Sequence, residues 1–167
     1  AAQNFRTELA VHNNGGTNVV YAAIIRNDVV LPSPPFNSRT NRVFAMFRST
    51  DGGTNWRQMQ NMPVINPGAQ AGAHFAMVAH PTNPNVLFVG GDAPDGSLAP
   101  PQMTRYRFVA NDGNPALDAW QLVADTGTVD NSRPHADTRD LAFANDANGN
   151  LSLLNTDDGG IYRLFDP

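Results

Sequence analysis

The chain has 167 residues, 41% of them hydrophobic and only 16% charged, with a net charge of −4 and a pI near 5.4. It is long enough to bury a core, and its acidic balance excludes a general nucleic-acid binder, which would carry a basic stripe. Zero cysteine excludes disulfides, thiolate zinc sites and thiol catalysis, and no apolar run reaches membrane-spanning length. Every cation is Arg and the single Glu is Glu8, while Gly (14) and Pro (13) are frequent. Helix-favouring Lys and Glu are thus nearly absent and turn formers abound, which predicts short strands joined by turns.

In chain order, a first strand is predicted over Leu9–His12, then a turn over Asn13–Asn18, then a second strand over Val19–Ala22. A connection from Asn27 to Asn41, carrying Pro32, Pro34 and Pro35, leads to a third strand from Ala45. That strand runs into Ser49-Thr50-Asp51-Gly52-Gly53-Thr54-Asn55-Trp56. The glycines suit a turn that needs positive φ, and the Ser and Asp side chains can bond turn backbone groups. Trp56 opens a fourth strand, Trp56–Met59, and covers the hairpin.

The order then recurs. The second copy reads Met77–His80, a turn to Asn85, Val86–Val89, a connection from Gly91 to Gln102, then Thr104–Val109 and Trp120–Val123. The third reads Leu141–Ala144, a turn to Asn150, Leu151–Leu154, then Ile161–Asp166. Closing asparagines at 18, 85 and 150 set the expected register. Asp157-Asp158-Gly159-Gly160 imitates the Ser49–Trp56 turn but falls between second and third strands. The expected equivalent of Asp51 is Asp166, one residue before the chain stops at Pro167. In the second copy Asn111-Asp112-Gly113 and Trp120 form a degenerate version.

Four short antiparallel strands per repeat describe a propeller blade. The expected fold is all-β, a partial β-propeller of about two and a half to three four-stranded blades. The blades span residues 1–64, 65–128 and, incomplete, 129–167. The chain reads as a piece of a larger propeller whose open edges are covered by its remaining blades or by other copies of the chain.

Ser49, Asp51, Gly53 and Trp56 resemble the Asp-box of sialidase-type (BNR) propellers, a structural clamp in that family. Gly68–Gly72 leading into Ala79–Gly90, and His135–Asp137 leading through Leu141–Phe143 to Asp157–Arg163, are similar to the repeat of Asp-box proteins. That group includes xyloglucanase-type glycoside hydrolases, sialidases and sortilin-like receptors. The resemblance implies a secreted or cell-surface module that recognises a glycan or a protein through its upper loops, on the face opposite the Asp-boxes. It leaves open a fragment of a xyloglucanase-like or sialidase-like glycoside hydrolase, and a structural subunit of an extracellular assembly.

The upper face collects the candidate residues. His74, His135, Asp137, Arg139 and Asp140 precede first strands and form the expected binding cluster, offering imidazoles and carboxylates. Such polar groups also bridge elements without further function. A sialidase needs an Arg cluster, a Tyr–Glu pair and an acid/base Asp. Only Glu8 is present, the Arg-Ile-Pro signature is missing, and Arg48, Arg107 and Arg163 suit scaffold packing. A xyloglucanase-like mechanism would need two facing carboxylates, for which Asp92 and Asp137 are the candidates. Whether the chain is an enzyme stays open. No cofactor is expected; calcium is the ion that Asp92, Asp95, Asp157 or Asp158 would suit, although no calcium-loop motif is present.

Overall fold

The computed structural model describes residues 3–28, 40–92, 105–123 and 134–167. The Pro-rich connection, Asp95, Pro100, Pro101, Thr104 and the boundary at 128/129 lie outside these residues. The described chain is all-β and builds three antiparallel sheets, each a simple meander. The first joins β1 (Gln3–Asn14), β2 (Thr17–Asp28), β3 (Thr40–Ser49) and β4 (Arg57–Gln58). The second joins β5 (Ala76–Ala79), β6 (Val86–Gly90), β7 (Arg105–Val109) and β8 (Ala119–Leu122). The third holds β9 (Asp140–Asn145), β10 (Leu151–Asp157) and β11 (Gly160–Phe165). Among the described residues the only helical turn is a 3-10 turn at Pro115–Leu117, and no helix is long and apolar enough to cross a membrane.

The sheets stack face on face, and the burial pattern follows. In β2 the alternate residues Val19, Tyr21, Ala23 and Ile25 are buried. They pack with Met46, Leu87, Val89 and Phe108 to fill the space between the first and second sheets. Val86 and Phe88, on the other face of β6, pack with Leu141 and Leu153 of the third sheet. Covered on both faces, β6 is buried along its whole length, which explains its unbroken apolar sequence.

Cross-strand pairing fixes the repeat register. Tyr21 pairs with Arg48, Phe88 with Arg107, and Leu154 with Arg163. Asp166 therefore does occupy the place of Asp51, three residues beyond its Arg. The closing-asparagine alignment needs correcting in the third repeat. Asn13 pairs with Asn18, but Asn145 pairs with Leu151, so the third turn is one residue longer. Asn150 lies inside that turn, where its N–H and side-chain amide both donate to Asp146. Asn-rich turns offer several residues that could end them, and only the ladder decides among them.

The ends of the stack differ. At the lower end lie the β1–β2, β5–β6 and β3–β4 turns. Here Ser49 Oγ accepts from Gly53 N at 2.8 Å and donates to Asp51 Oδ1 at 2.8 Å. Asp51 Oδ1 accepts Asn55 N at 2.8 Å, and Trp56 Nε1 donates to the Gly53 carbonyl at 2.9 Å. Gly52 and Gly53 have φ of 70° and 97°, a region costly for other residues. The Asn55 backbone N–H, then its side chain and Ser49, hold the Asp51 carboxyl down at about 2. The degenerate second turn uses a different device. Buried Asp118 accepts from Asn111 N, Gln60 N and both terminal nitrogens of Arg57, tying the turn to the linker after β4.

Arg48 joins the first two sheets at this end. Its side chain is buried, yet it donates to Asn85 Oδ1 at 2.6 Å, to the Pro84 carbonyl at 3.2 Å and to Asp112. Tyr21 Oη donates to the same carbonyl at 2.7 Å.

Candidate functional site at the upper end

The upper end is assembled from the linker before β5, the residues after β6 and the segment before β9. The linker folds back on itself: Asn66 Nδ2 donates to the His74 carbonyl at 2.8 Å, and Asn41 N donates to the Ala69 carbonyl at 2.8 Å. Asp92, two residues after β6, is buried and anchors this linker. Its carboxylate oxygens accept Gly68 N at 2.8 Å and Gln70 N at 2.7 Å. Burial raises its pKa, the two amides oppose that shift, and the charge of Asp137 adds to it.

The 135–139 segment is held from both sides. Thr138 N donates to the Gly91 carbonyl at 3.0 Å, and Arg139 N donates to the Thr156 carbonyl at 2.8 Å. Directly before these anchors Asp137 takes φ of 68°, an uncommon left-handed conformation for a residue other than glycine.

The Asp157–Asp158 turn divides its two carboxylates. Asp157 points inward: its Oδ2 accepts Arg105 Nη2 at 2.8 Å and Asn155 Nδ2 at 2.7 Å, and its Oδ1 accepts Gly159 N at 2.9 Å. Arg105 also donates to Asn155 Oδ1 and to the His135 carbonyl, linking the second and third sheets. Burial lowers the Arg105 pKa, and Asp157 opposes that shift. Asp158 points outward, its Oδ1 accepting Arg139 Nε at 2.9 Å and Nη2 at 2.8 Å. The Arg139 hydrogen bond holds the Asp158 pKa below the ordinary carboxylate value, with help from the nearby His74 and His135.

His74, His135 and Arg139 therefore each lie within electrostatic reach of Asp158, and Asp137 within reach of Asp92 and Arg105. Asp140 opens β9, and its Oδ1 accepts the N–H of Leu141. Among the described residues no group of three or more His, Asp or Glu could hold a metal ion. The oxygens of Asp92, Asp157 and Asp158 instead receive backbone amides and guanidinium groups.

Asn66, Thr138 and Arg105 were not apparent as site residues, whereas His74 was among the expected binding residues. Asn66 Oδ1, His74 Nδ1 and Thr138 Oγ1 are buried with no hydrogen-bond partner among the described residues. Thr138 packs so closely that a Cβ on Gly90 would meet its Oγ1 at 2.5 Å. Arg105 did leave a signal in the sequence. Its repeat equivalents, two residues before Arg48 and Arg163, are the apolar Met46 and Ile161, so a cation there departs from the repeat. No family model, curated protein or solved structure matches the chain.

Proposed function

We propose that the chain is a secreted or surface-exposed recognition module, built of Asp-box propeller blades, whose upper end binds a neutral glycan. The observation that carries this reading is the pairing of opposite properties at that end. His74 Nδ1 and Thr138 Oγ1 are buried without partners among the described residues, while the neighbouring Arg139–Asp158 pair is exposed. Buried polar atoms are normally satisfied, and sugar hydroxyls both donate and accept. The charges beside them are already paired, Arg139 with Asp158 and Arg105 with Asp157, which favours a neutral ligand over an anionic one. The hydrolase reading receives less support. Two carboxylates would have to face a cleft, whereas Asp92 is buried and engaged by backbone amides.

A glycan array probed with the whole chain tests the reading. Binding of neutral oligosaccharides is expected, with Arg139→Ala lowering affinity at least about tenfold, the loss expected for one good polar contact. An array without signal, or binding confined to acidic glycans, would contradict it. Reducing-sugar release from a bound oligosaccharide would move the chain to the hydrolase class.

A further inference from the structure

We infer that the two outer faces of the sheet stack are halves of one repeating interface, and that the occupant of each is the opposite face of a second copy of this chain. Positions correspond across the three repeats. Ala10 pairs with Tyr21, Val78 with Phe88, and Ala142 with Leu154, which aligns the first strands. Leu9 and Val11 then correspond to Met77 and Ala79, and to Leu141 and Phe143.

Met77 and Ala79 pack in the core between the first and second sheets. Leu141 and Phe143 pack in the core between the second and third. Leu9 and Val11 hold the same positions on the first sheet, yet they are 60% and 57% exposed. The opposite face shows the complementary pattern. Met46 and Arg48 face the second sheet and are buried; their equivalents Ile161 and Arg163 lie on the outer face of the third sheet, with Ile161 74% exposed. Phe165, 59% exposed, extends that face, and the Arg163 guanidinium lies over its ring at 4.3 Å.

Polar complementarity selects a copy of this chain over a generic apolar partner. Arg48 donates to the side-chain oxygen of Asn85 at the start of β6. The equivalent of Asn85 on the first sheet is the exposed Asn18, and the equivalent of Arg48 on the third is Arg163. Placing the first sheet of one copy on the third sheet of another therefore offers Arg163 the acceptor that Arg48 already uses. It would also bring β9 against the partner's β1, as β1 lies against β5 and β5 against β9. This contact is heterologous, so it closes a ring only if the rotation allows. Two copies, each with the three described sheets, give six, within the range of about four to eight that propellers close. The ring size rests on the blade reading proposed above; the interface rests on the register alone.

The absence of cysteine makes the test direct. Light scattering of the whole chain is expected to give the mass of two copies, and Val11→Asp or Ile161→Asp alone is expected to give a folded monomer by circular dichroism. Under oxidation the double variant Leu9→Cys/Ala142→Cys is expected to form covalent dimers, and neither single variant should, because the contact is between unlike faces. A monomeric parent chain, or covalent dimers from either single variant, would overturn the inference. A monomer that still binds glycan would overturn the ring and leave the recognition reading standing.

Discussion

Replacing Arg48 with Met tests what holds the first two sheets together. Met keeps much of the buried stem packing and removes the guanidinium, so the loss reports on its hydrogen bonds. Four oxygens depend on it unequally, and Tyr21 Oη, which accepts Nε at 3.3 Å, keeps its own bond to the Pro84 carbonyl and loses little. Asn85 Oδ1, at 2.6 Å, loses a charge-assisted bond, worth about 1.5–3 kcal/mol. The Pro84 carbonyl keeps the Tyr21 hydroxyl at 2.7 Å and loses little. The Asp112 side chain is 45% exposed and can rehydrate, so its share is under about 1 kcal/mol after solvent screening. Relief of the buried charge offsets part of the sum. The net expectation for Arg48→Met is a loss of about 2–3 kcal/mol, which for a chain of this size lowers Tm by roughly 4–12 °C. Asp112→Asn should cost under about 1 kcal/mol by the same reasoning. Urea unfolding followed by Trp56 and Trp120 fluorescence measures both. If Arg48→Met stays within about 0.5 kcal/mol of the parent, or if Asp112→Asn proves the more damaging, the guanidinium is not what joins the sheets.

Gly91→Ala would place a Cβ 1.9 Å from the Ile65 carbonyl oxygen, a backbone atom that cannot rotate away. A loss of about 3 kcal/mol is expected, read from the urea midpoint, and a near-neutral result would mean the linker packs differently. Burial lowers the pKa of His80, whose Nδ1 accepts Thr82 N and Asn83 N. The folded state thus favours the neutral ring: its contribution is complete above the unfolded value of about 6.5 and is lost as pH falls through the lower folded value. His80→Asn, which keeps an acceptor, should flatten the change in urea midpoint between about pH 7 and pH 5, and an unchanged slope would assign the acid sensitivity elsewhere.

The sheets were legible in the sequence because each strand carries its own record. Val19 to Ile25 is an unbroken apolar run bounded by polar residues on both sides, and Gly52-Gly53 before Trp56 marks a turn that few other residues could make. The third register was misread by one residue because the signal used, a closing Asn, was a local habit of the turns and not a ladder contact. The upper-end cluster was legible only in outline. His74, His135, Asp137 and Arg139 stood out by type and position, but the contacts that organise them join residues distant in sequence. Asp158 takes Arg139 from 19 residues away and Arg105 reaches Asp157 from 52 residues away, so no local pattern announces either pair. Asp118 was missed for the same reason: it caps the linker of the preceding repeat.

The two ends of the stack spend their polar groups differently, and this separates scaffold from site more firmly than residue type does. At the lower end Ser49, Asp51, Asp118 and Arg48 are engaged several times over, by backbone amides, carbonyls and one another. Such closed networks rigidify and leave nothing to offer a ligand. The upper end contains closed pairs too, Asp157 with Arg105 and Asp92 with two amides, but these lie underneath. Above and beside them Asn66, His74 and Thr138 carry buried atoms without partners among the described residues, and Asp137 holds a strained backbone. Leaving a buried donor or acceptor unpaired costs roughly 1–3 kcal/mol, so a group of them must be offset by the packing around it. The lower end leaves Arg57 Nε alone in this state among the described residues, whereas the upper end gathers Asn66 Oδ1, His74 Nδ1 and Thr138 Oγ1, and that difference is what the proposed recognition at the upper end rests on.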